Sequence, residues 1–337
     1  FLRFKPKAVV FIESHLTEEP MRVNLREESL EAYKDIPLGR ITHLDGLDIV
    51  KHGATQAKLI MRNTAHKSHC KNVIGEVKGT TYPDEIITIC GHYDTSRDIS
   101  GASDNAGGTA IMMELGRVLA KSGSKRTLRF VAFAGEETGL QGSRNYAGEL
   151  VKKSEAQKKR KSFNDKLDKT DLDKHVLVYN VDVHGCILGQ NNFMFSGEED
   201  LGAMVRLLSK ELGIPVEVSK GAMSSDGSVL AAEGVPALQF ARNGGTSGFL
   251  HSTLDDIKYL SADALENAGV FSEVLLRRYV TDAYALPVAR TIPEDQQKGL
   301  KTFKKPEDKK DAKPKDAKPK AAKKAKKAKK AVKRSTK

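Results

Sequence analysis

Four stretches of the chain are continuously apolar and then turn abruptly polar: "EIITICGHYD" (Glu85 to Asp94), "RTLRFVAFAGEE" (Arg126 to Glu137), "HVLVYNVDVHG" (His175 to Gly185) and "VPALQFARN" (Val235 to Asn243). Unbroken runs of this kind mark strands buried on both faces, as in a parallel sheet, whereas a strand with one wet face alternates. Between and after them lie segments with apolar residues at helical spacing. "GGTAIMMELGRVLAKSG" carries Ile111, Met112, Leu115, Val118 and Leu119 on one face, with Gly123 as a stop. "GLQGSRNYAGELVKK", "EDLGAMVRLLSKELG" and the closing "SADALENAGVFSEVLLRRYVTDAY" also read as helices. Strand and helix in alternation predict an α/β fold, a three-layer α/β/α sandwich around a central mixed, largely parallel sheet. Ahead of this region, "KAVVFIES" reads as a short strand and Leu44, Leu47, Ile49 and Val50 as a short helix. Thr55 to Thr80 alternates like antiparallel strands, with a turn near Gly79 to Pro83.

The polar ends of the strands carry the candidate chemistry. His92 and Asp94 follow the first run, Asp104 sits in the glycine-rich "GASDNAGG", Glu136 and Glu137 end the second run, Asp182 lies in the third, and His251 comes in "HSTLDD". In an open α/β sheet the carboxyl ends of successive strands converge on one crevice, so residues this far apart in sequence can meet. Each has an ordinary reading taken alone: Asp104 as a turn or helix-capping residue, the glutamates as a solvated loop, Asp182 as a strand edge, His92 as a hydrogen-bonded structural imidazole. Together they put carboxylates and imidazoles at one end of a sheet, where burying each charge without a counter-charge costs several kcal/mol. A pair of divalent cations supplies that counter-charge.

The motifs "HYD", "GASDNAGG", "FAGEETGLQGS", "NVDVHG" and "HSTLDD", in this order, resemble the co-catalytic double-zinc aminopeptidase family, which also contains glutamate carboxypeptidases and glutaminyl cyclases. The resemblance spans roughly Asn72 to Tyr284. It implies that His92 and Asp182 bind one Zn²⁺ and Glu137 and His251 a second, that Asp104 bridges both, often through a cis peptide to Asn105, that Glu136 is the general base, and that Asp94 accepts the other ring N–H of His92. Imidazole and carboxylate ligands suit Zn²⁺ and leave room for a shared water, whereas an all-cysteine set would close the site. The implied activity is that of a zinc-dependent exopeptidase, an aminopeptidase hydrolysing N-terminal residues from peptides. A carboxypeptidase or aminoacyl deacylase on the same dinuclear site is the nearest alternative, with Arg242 as a possible carboxylate contact, and a non-catalytic binding module is the reading from another class.

The chain departs from the family's pattern at three places. Gly227 stands where related enzymes often have histidine after "SD", Leu250 where tyrosine commonly precedes the last histidine ligand, and His184 where methionine is common. The oxyanion-holding role is therefore unassigned, with Tyr93 and Tyr146 as nearby candidates, and His184 reads as structural because the ligand set is already complete. The first 66 residues more weakly resemble the closing part of a protease-associated domain. Residues 67–286 are then the catalytic domain and 287–337 a Lys/Ala/Pro-rich basic tail.

Charge changes this picture only at the end of the chain. Lys298 to Lys337 hold nineteen Lys+Arg against four Asp+Glu, a tail of +15, so a total of +12 leaves the other 297 residues at −3. The catalytic body thus carries no nucleic-acid signature, and the tail is the part that could hold nucleic acid or another polyanion. Text so poor in apolar side chains from Pro287 onward predicts disorder. Lys158 to Lys161 read as a solvated helix end or loop. Three widely spaced cysteines and the absence of any Asn-x-Ser/Thr acceptor favour a reduced, cytoplasmic setting, while the opening without methionine suggests a lost upstream segment or leader.

Overall fold

The computed structural model describes residues 4–13, 19–22, 35–61, 68–160, 169–244, 248–286 and 289–304. Two short strands, β1 (Val9–Ile12) and β2 (Leu38–Ile41), pair in parallel, and α1 (His43–Lys51) follows, capped by the Thr42 hydroxyl, which accepts the Asp45 N–H. The main body then runs β3 (Val73–Val77), β4 (Tyr82–His92), α2 (Gly108–Ser122), β5 (Arg126–Phe133), α3 (Gln141–Arg160), the single turn α4 (Asp171–Lys174), β6 (His175–Val181), β7 (Gln190–Ser196), α5 (Glu199–Leu212), β8 (Val216–Lys220), α6 (Asp226–Ala232), β9 (Ala237–Asn243), α7 (Ala262–Leu276) and α8 (Glu294–Leu300).

Seven of these strands form one sheet in the order β3-β5-β4-β6-β9-β7-β8. β5, β4, β6 and β9 are mutually parallel; β3 runs antiparallel to β5 at one edge, and β7 antiparallel to β9 near the other. Alternate residues feed two cores. On one face Ile87, Ile89, Tyr179 and Phe240 pack with Leu115 of α2, Val205 of α5 and Phe271 of α7. On the other, Cys90, Val131, Phe133 and Val178 pack with Ala147 of α3, Leu230 of α6 and Leu300 of α8. This is the α/β/α sandwich with a mixed sheet. The four continuous apolar runs are its four parallel strands because both of their faces are covered. No helix among the described residues is long and apolar enough to cross a membrane.

Two local expectations are corrected and a third holds. The alternation across Thr55 to Thr80 does not make a hairpin: Thr55 to Met61 form no strand, residues 62–67 lie outside the described ones, and β3 pairs with β5 rather than with its neighbour in sequence. The chain does not lose its structure at Pro287. Arg290 donates to the carbonyls of His175 and Leu172, Gln296 exchanges two hydrogen bonds with Gly197, and Ile292, Leu300 and Phe303 are buried in the second core. Those three apolar residues, sparse in charged text, are what order this segment, and it belongs to the same compact unit as the rest of Phe1–Lys304. The expected solvated helix end is found: α3 extends to Arg160, so the exposed Lys158, Lys159 and Arg160 occupy its last turn, where cations meet the negative end of the helix dipole. The remaining tail, residues 305–337, and Lys161 lie outside the described residues.

Candidate active site

The site forms where β4, β5, β6 and β9 end. β4 delivers His92 as its last residue. The chain then returns through a wide helical turn, Ala102–Gly107, that presents Asp104 and contains a cis peptide between Asp104 and Asn105. Gly107 allows this turn to press against the loop after β6, since a Cβ there would lie 2.2 Å from the His184 carbonyl oxygen. Glu136 and Glu137 follow β5, Asp182 follows β6, and His251 sits in the loop after β9.

These residues meet as two triads sharing one member: His92, Asp104 and Asp182, and Asp104, Glu137 and His251, the ligand atoms of each triad all within 4.8 Å of one another. His92 Nε2 lies 3.1 Å from Asp104 Oδ1 and 3.0 Å from Asp182 Oδ1. His251 Nε2 lies 3.0 Å from Asp104 Oδ2 and 3.2 Å from Glu137 Oε2. Asp104 thus turns one oxygen to each imidazole. The donor chemistry fits two borderline cations, each offered one imidazole nitrogen and two carboxylates, with no thiolate in either triad.

Protons on the imidazoles can supply the same counter-charge. Burial disfavours the His92 cation, but the charge of Asp182 and hydrogen bonds to Asp104 and Asp182 hold its pKa well above the usual imidazole value. Burial likewise opposes His251, whose hydrogen bonds to Asp104 and Glu137 carry it up to about 10. Asp104 is pushed up by burial and pulled further down by hydrogen bonds from His251 and His92, ending well below the carboxylate range. Glu136 behaves oppositely: burial and then the charge of Asp182 drive its carboxyl well above that range. One neighbour of the bridging position is therefore a carboxyl that retains a proton easily.

The supporting contacts refine one expectation and add a residue. The Asp94 carboxylate does not take the His92 ring N–H; it lies 3.7 Å from Nδ1, which donates instead to the Asp94 main-chain oxygen at 2.9 Å. The carboxylate is occupied by the N–H groups of Glu136 at 3.1 Å and Glu137 at 3.3 Å, so Asp94 fixes His92 with its backbone and the two glutamates with its side chain. Asp255, to which the sequence attached no role, is buried and accepts the Ser103 N–H at 2.7 Å, the Ser103 hydroxyl at 2.8 Å and the Asp104 N–H at 3.1 Å. It anchors the turn that carries the bridging carboxylate. Its signal was its place in "HSTLDD", four residues after His251.

Two of the three departures, at Gly227 and His184, have structural explanations. A Cβ at Gly227 would fall 2.9 Å from Gln239 Oε1 and 3.0 Å from Asn180 Cβ, so α6 lies too close to the sheet for any side chain there. His184 is fully buried edge-on to Phe240, its Nδ1 accepts the Gly185 N–H, and burial with the nearby Arg242 charge brings it down to about 3. It is a neutral structural imidazole. Neither tyrosine is free for an oxyanion: the Tyr93 hydroxyl donates to the Lys71 carbonyl, and that of Tyr146 accepts from Arg129 while its ring packs on Phe133 and His175. Arg242 donates to the Cys186 carbonyl and the Asn191 side chain.

A three-layer sandwich with two acid–imidazole triads sharing a carboxylate at the ends of its parallel strands defines a dinuclear-site class of α/β protein. Within that class the chain belongs to peptidase family M28, which residues 72–275 match. It is 28% identical over 274 residues to the aminopeptidase YwaD of Bacillus subtilis, an alignment covering 78% of this chain and 55% of that protein. Among solved structures, a peptidase M28 precursor from Shewanella amazonensis superposes with a TM-score of 0.64 at 21% identity, covering 85% of this chain and 62% of that one. The zinc aminopeptidase BSAP from Bacillus subtilis gives 0.56 at 22% identity, covering 86% and 67%. The chain thus spans a little over half the length of the YwaD aminopeptidase.

Proposed function

We propose that the chain is a zinc-dependent aminopeptidase that hydrolyses the N-terminal peptide bond of peptides. The observation that carries this reading is Asp104, which turns one oxygen into each triad while a half-buried glutamate, Glu136, stands beside the Glu137 ligand position. His92 and Asp182 would hold one zinc ion, Glu137 and His251 the other, and Asp104 both; the zinc named for its relatives agrees with this donor set. Zinc bound there would supply Lewis acidity to the attacking water and to the scissile carbonyl. Glu136 takes the proton from the water and returns it to the leaving amine, a task for which a carboxyl with a raised pKa is matched. Asp94 holds the glutamate pair at its main chain, and Asp255 holds the Asp104 turn.

The aminopeptidase reading is favoured over a carboxypeptidase because Arg242, the basic residue suggested for a substrate carboxylate, already has two partners within the fold. The test is Glu136→Gln on zinc-loaded protein, with free-amine, N-acetylated and free-carboxylate peptides as substrates. Hydrolysis of the free-amine peptides should fall by about 10²–10⁴ with zinc content unchanged. An unaltered rate would remove Glu136 as the base, and preference for acetylated peptides would transfer the activity to the other end of the substrate. The basic tail is proposed to add attachment to nucleic acid or another polyanion, supported by the +15 charge of Lys298 to Lys337 against −3 for the other 297 residues.

A further inference from the structure

The two imidazoles at the site are held differently. His92 has its second ring nitrogen fixed by the Asp94 carbonyl. The Nδ1 of His251 is buried and has no hydrogen-bond partner among the described residues, so nothing there grips the ring from behind. Apart from the Asp104 and Glu137 carboxylates that Nε2 faces, the ring's orientation rests on its backbone, and that backbone is left-handed, with φ 57°. A non-glycine residue holds such a conformation only where its surroundings impose it. Asp98, in the loop between Asp94 and Asp104, is left-handed too, with φ 58°.

Both strained residues are gripped by the same side chain and main chain. The Arg22 N–H donates to the His251 carbonyl at 2.7 Å, and its guanidinium donates to the carbonyls of Asp98 at 2.8 Å and Arg97 at 3.0 Å. Glu19, 3.6 Å from the Arg22 guanidinium, accepts the N–H of Thr253, two residues beyond His251. Residues 19–22 thus tie the loop after β4 to the loop after β9, across the side of the site where the second imidazole sits.

We infer that Arg22, assisted by Glu19, is a positioning residue that sets the affinity of the site half built on Glu137 and His251. This rests on the ligand assignment proposed above. One guanidinium nitrogen, Nη1, reaches both carbonyls, and the Glu19 carboxylate fixes the segment's other end on the Thr253 N–H. The half built on His92 and Asp182 comes from strand ends and needs no such restraint.

The experiment is a zinc titration of the full chain after chelator stripping, on wild type, Arg22→Ala, Glu19→Ala and Glu19→Gln. Wild type should take up two ions. Arg22→Ala and Glu19→Ala should weaken one of them by about 10–100-fold, the range for residues that orient a ligand, and leave the other within about twofold. Glu19→Gln, which keeps an acceptor oxygen, should restore most of the loss. In a His251→Ala background, which lacks that ion's imidazole, Arg22→Ala should add nothing. Equal weakening of both ions, tracking a lowered melting temperature of the stripped chain, would make Arg22 a mere support of the fold and overturn the inference, as would an unchanged titration. Uptake of fewer than two ions by wild type would instead bring down the ligand assignment, and the inference with it.

Discussion

The two halves of the site use the same residue types but are built from different material. His92 is the last residue of a central strand and Asp182 immediately follows another; both are buried. Register fixes them: Cys90 and Asn180, two residues earlier in each strand, are direct partners and are joined by a hydrogen bond from the Cys90 thiol to the Asn180 side chain at 3.3 Å. Glu137 and His251 lie in loops, and the His251 side chain keeps 20% of its exposure where His92 keeps 1%. The strand half inherits its geometry from the sheet ladder. The loop half must be assembled from contacts, chiefly Asp94 behind the glutamates and Arg22 behind His251. Sites on strands are positioned more precisely than sites on loops, so the two ions should differ in affinity although their ligand sets match.

The comparison breaks most completely at Asp104, the residue both halves share. Asp104→Ala should abolish peptide hydrolysis and lower zinc from about two per chain to below about one, measured by metal analysis after desalting, because each ion loses a ligand and the two cations lose the carboxylate between them. Retention of two tightly held ions would mean that the halves are independent. A smaller effect is expected at Asp255, which touches no ligand side chain but holds the Asp104 turn by three hydrogen bonds. Asp255→Ala should weaken both ions by about 10–100-fold, in contrast to the one-sided loss expected at Arg22. If only one ion weakened, the Asp104 turn would not be what Asp255 controls.

What the sequence disclosed follows the same division. The strand half was legible because buried parallel strands write continuous apolar runs, and the first polar residue after such a run stands at the sheet's reactive edge. The structure brings His92 and Asp182 together with Asp104, and Glu137 and His251 together with the same Asp104. β7 was missed although it alternates, Asn191, Phe193 and Phe195 pointing inward, because its run is short and polar at its start. α8 was missed because its core contacts, Leu300 with Ile292 and Phe303 nearby, are isolated among charges. Arg22 was invisible for a deeper reason: it grips backbone carbonyls, which every residue has, so no side-chain identity at His251, Asp98 or Arg97 marks the contact. Asp94 lies against His92 and the glutamate pair, but its main chain rather than its side chain meets the imidazole, since its carboxylate is shared between two N–H groups that only the folded turn brings together.

The subtlest difference between the halves should show in the stripped protein as pH rises. Folding raises His251 to about 10, against about 6.5 in an unfolded chain, and raises His92 as well. The folded chain then holds protons that the unfolded chain releases, so their stabilising contribution is complete below about pH 6.5 and is lost as pH climbs through about 10. Asp104 is shifted down and works the other way, its contribution present above about pH 4 and lost as pH falls. Glu136 and Asp226, whose carboxyls burial raises, the latter to about 7, add a loss that begins at about pH 4, so the melting temperature of the stripped chain should be highest at about pH 4 and decline toward about pH 10. Zinc replaces those protons, so the gap between loaded and stripped melting temperatures should widen over the same interval. His251→Gln should flatten the decline only partly, because His92 keeps its share. A gap independent of pH, or a decline abolished entirely by His251→Gln, would show that the two imidazoles do not carry the counter-charge jointly.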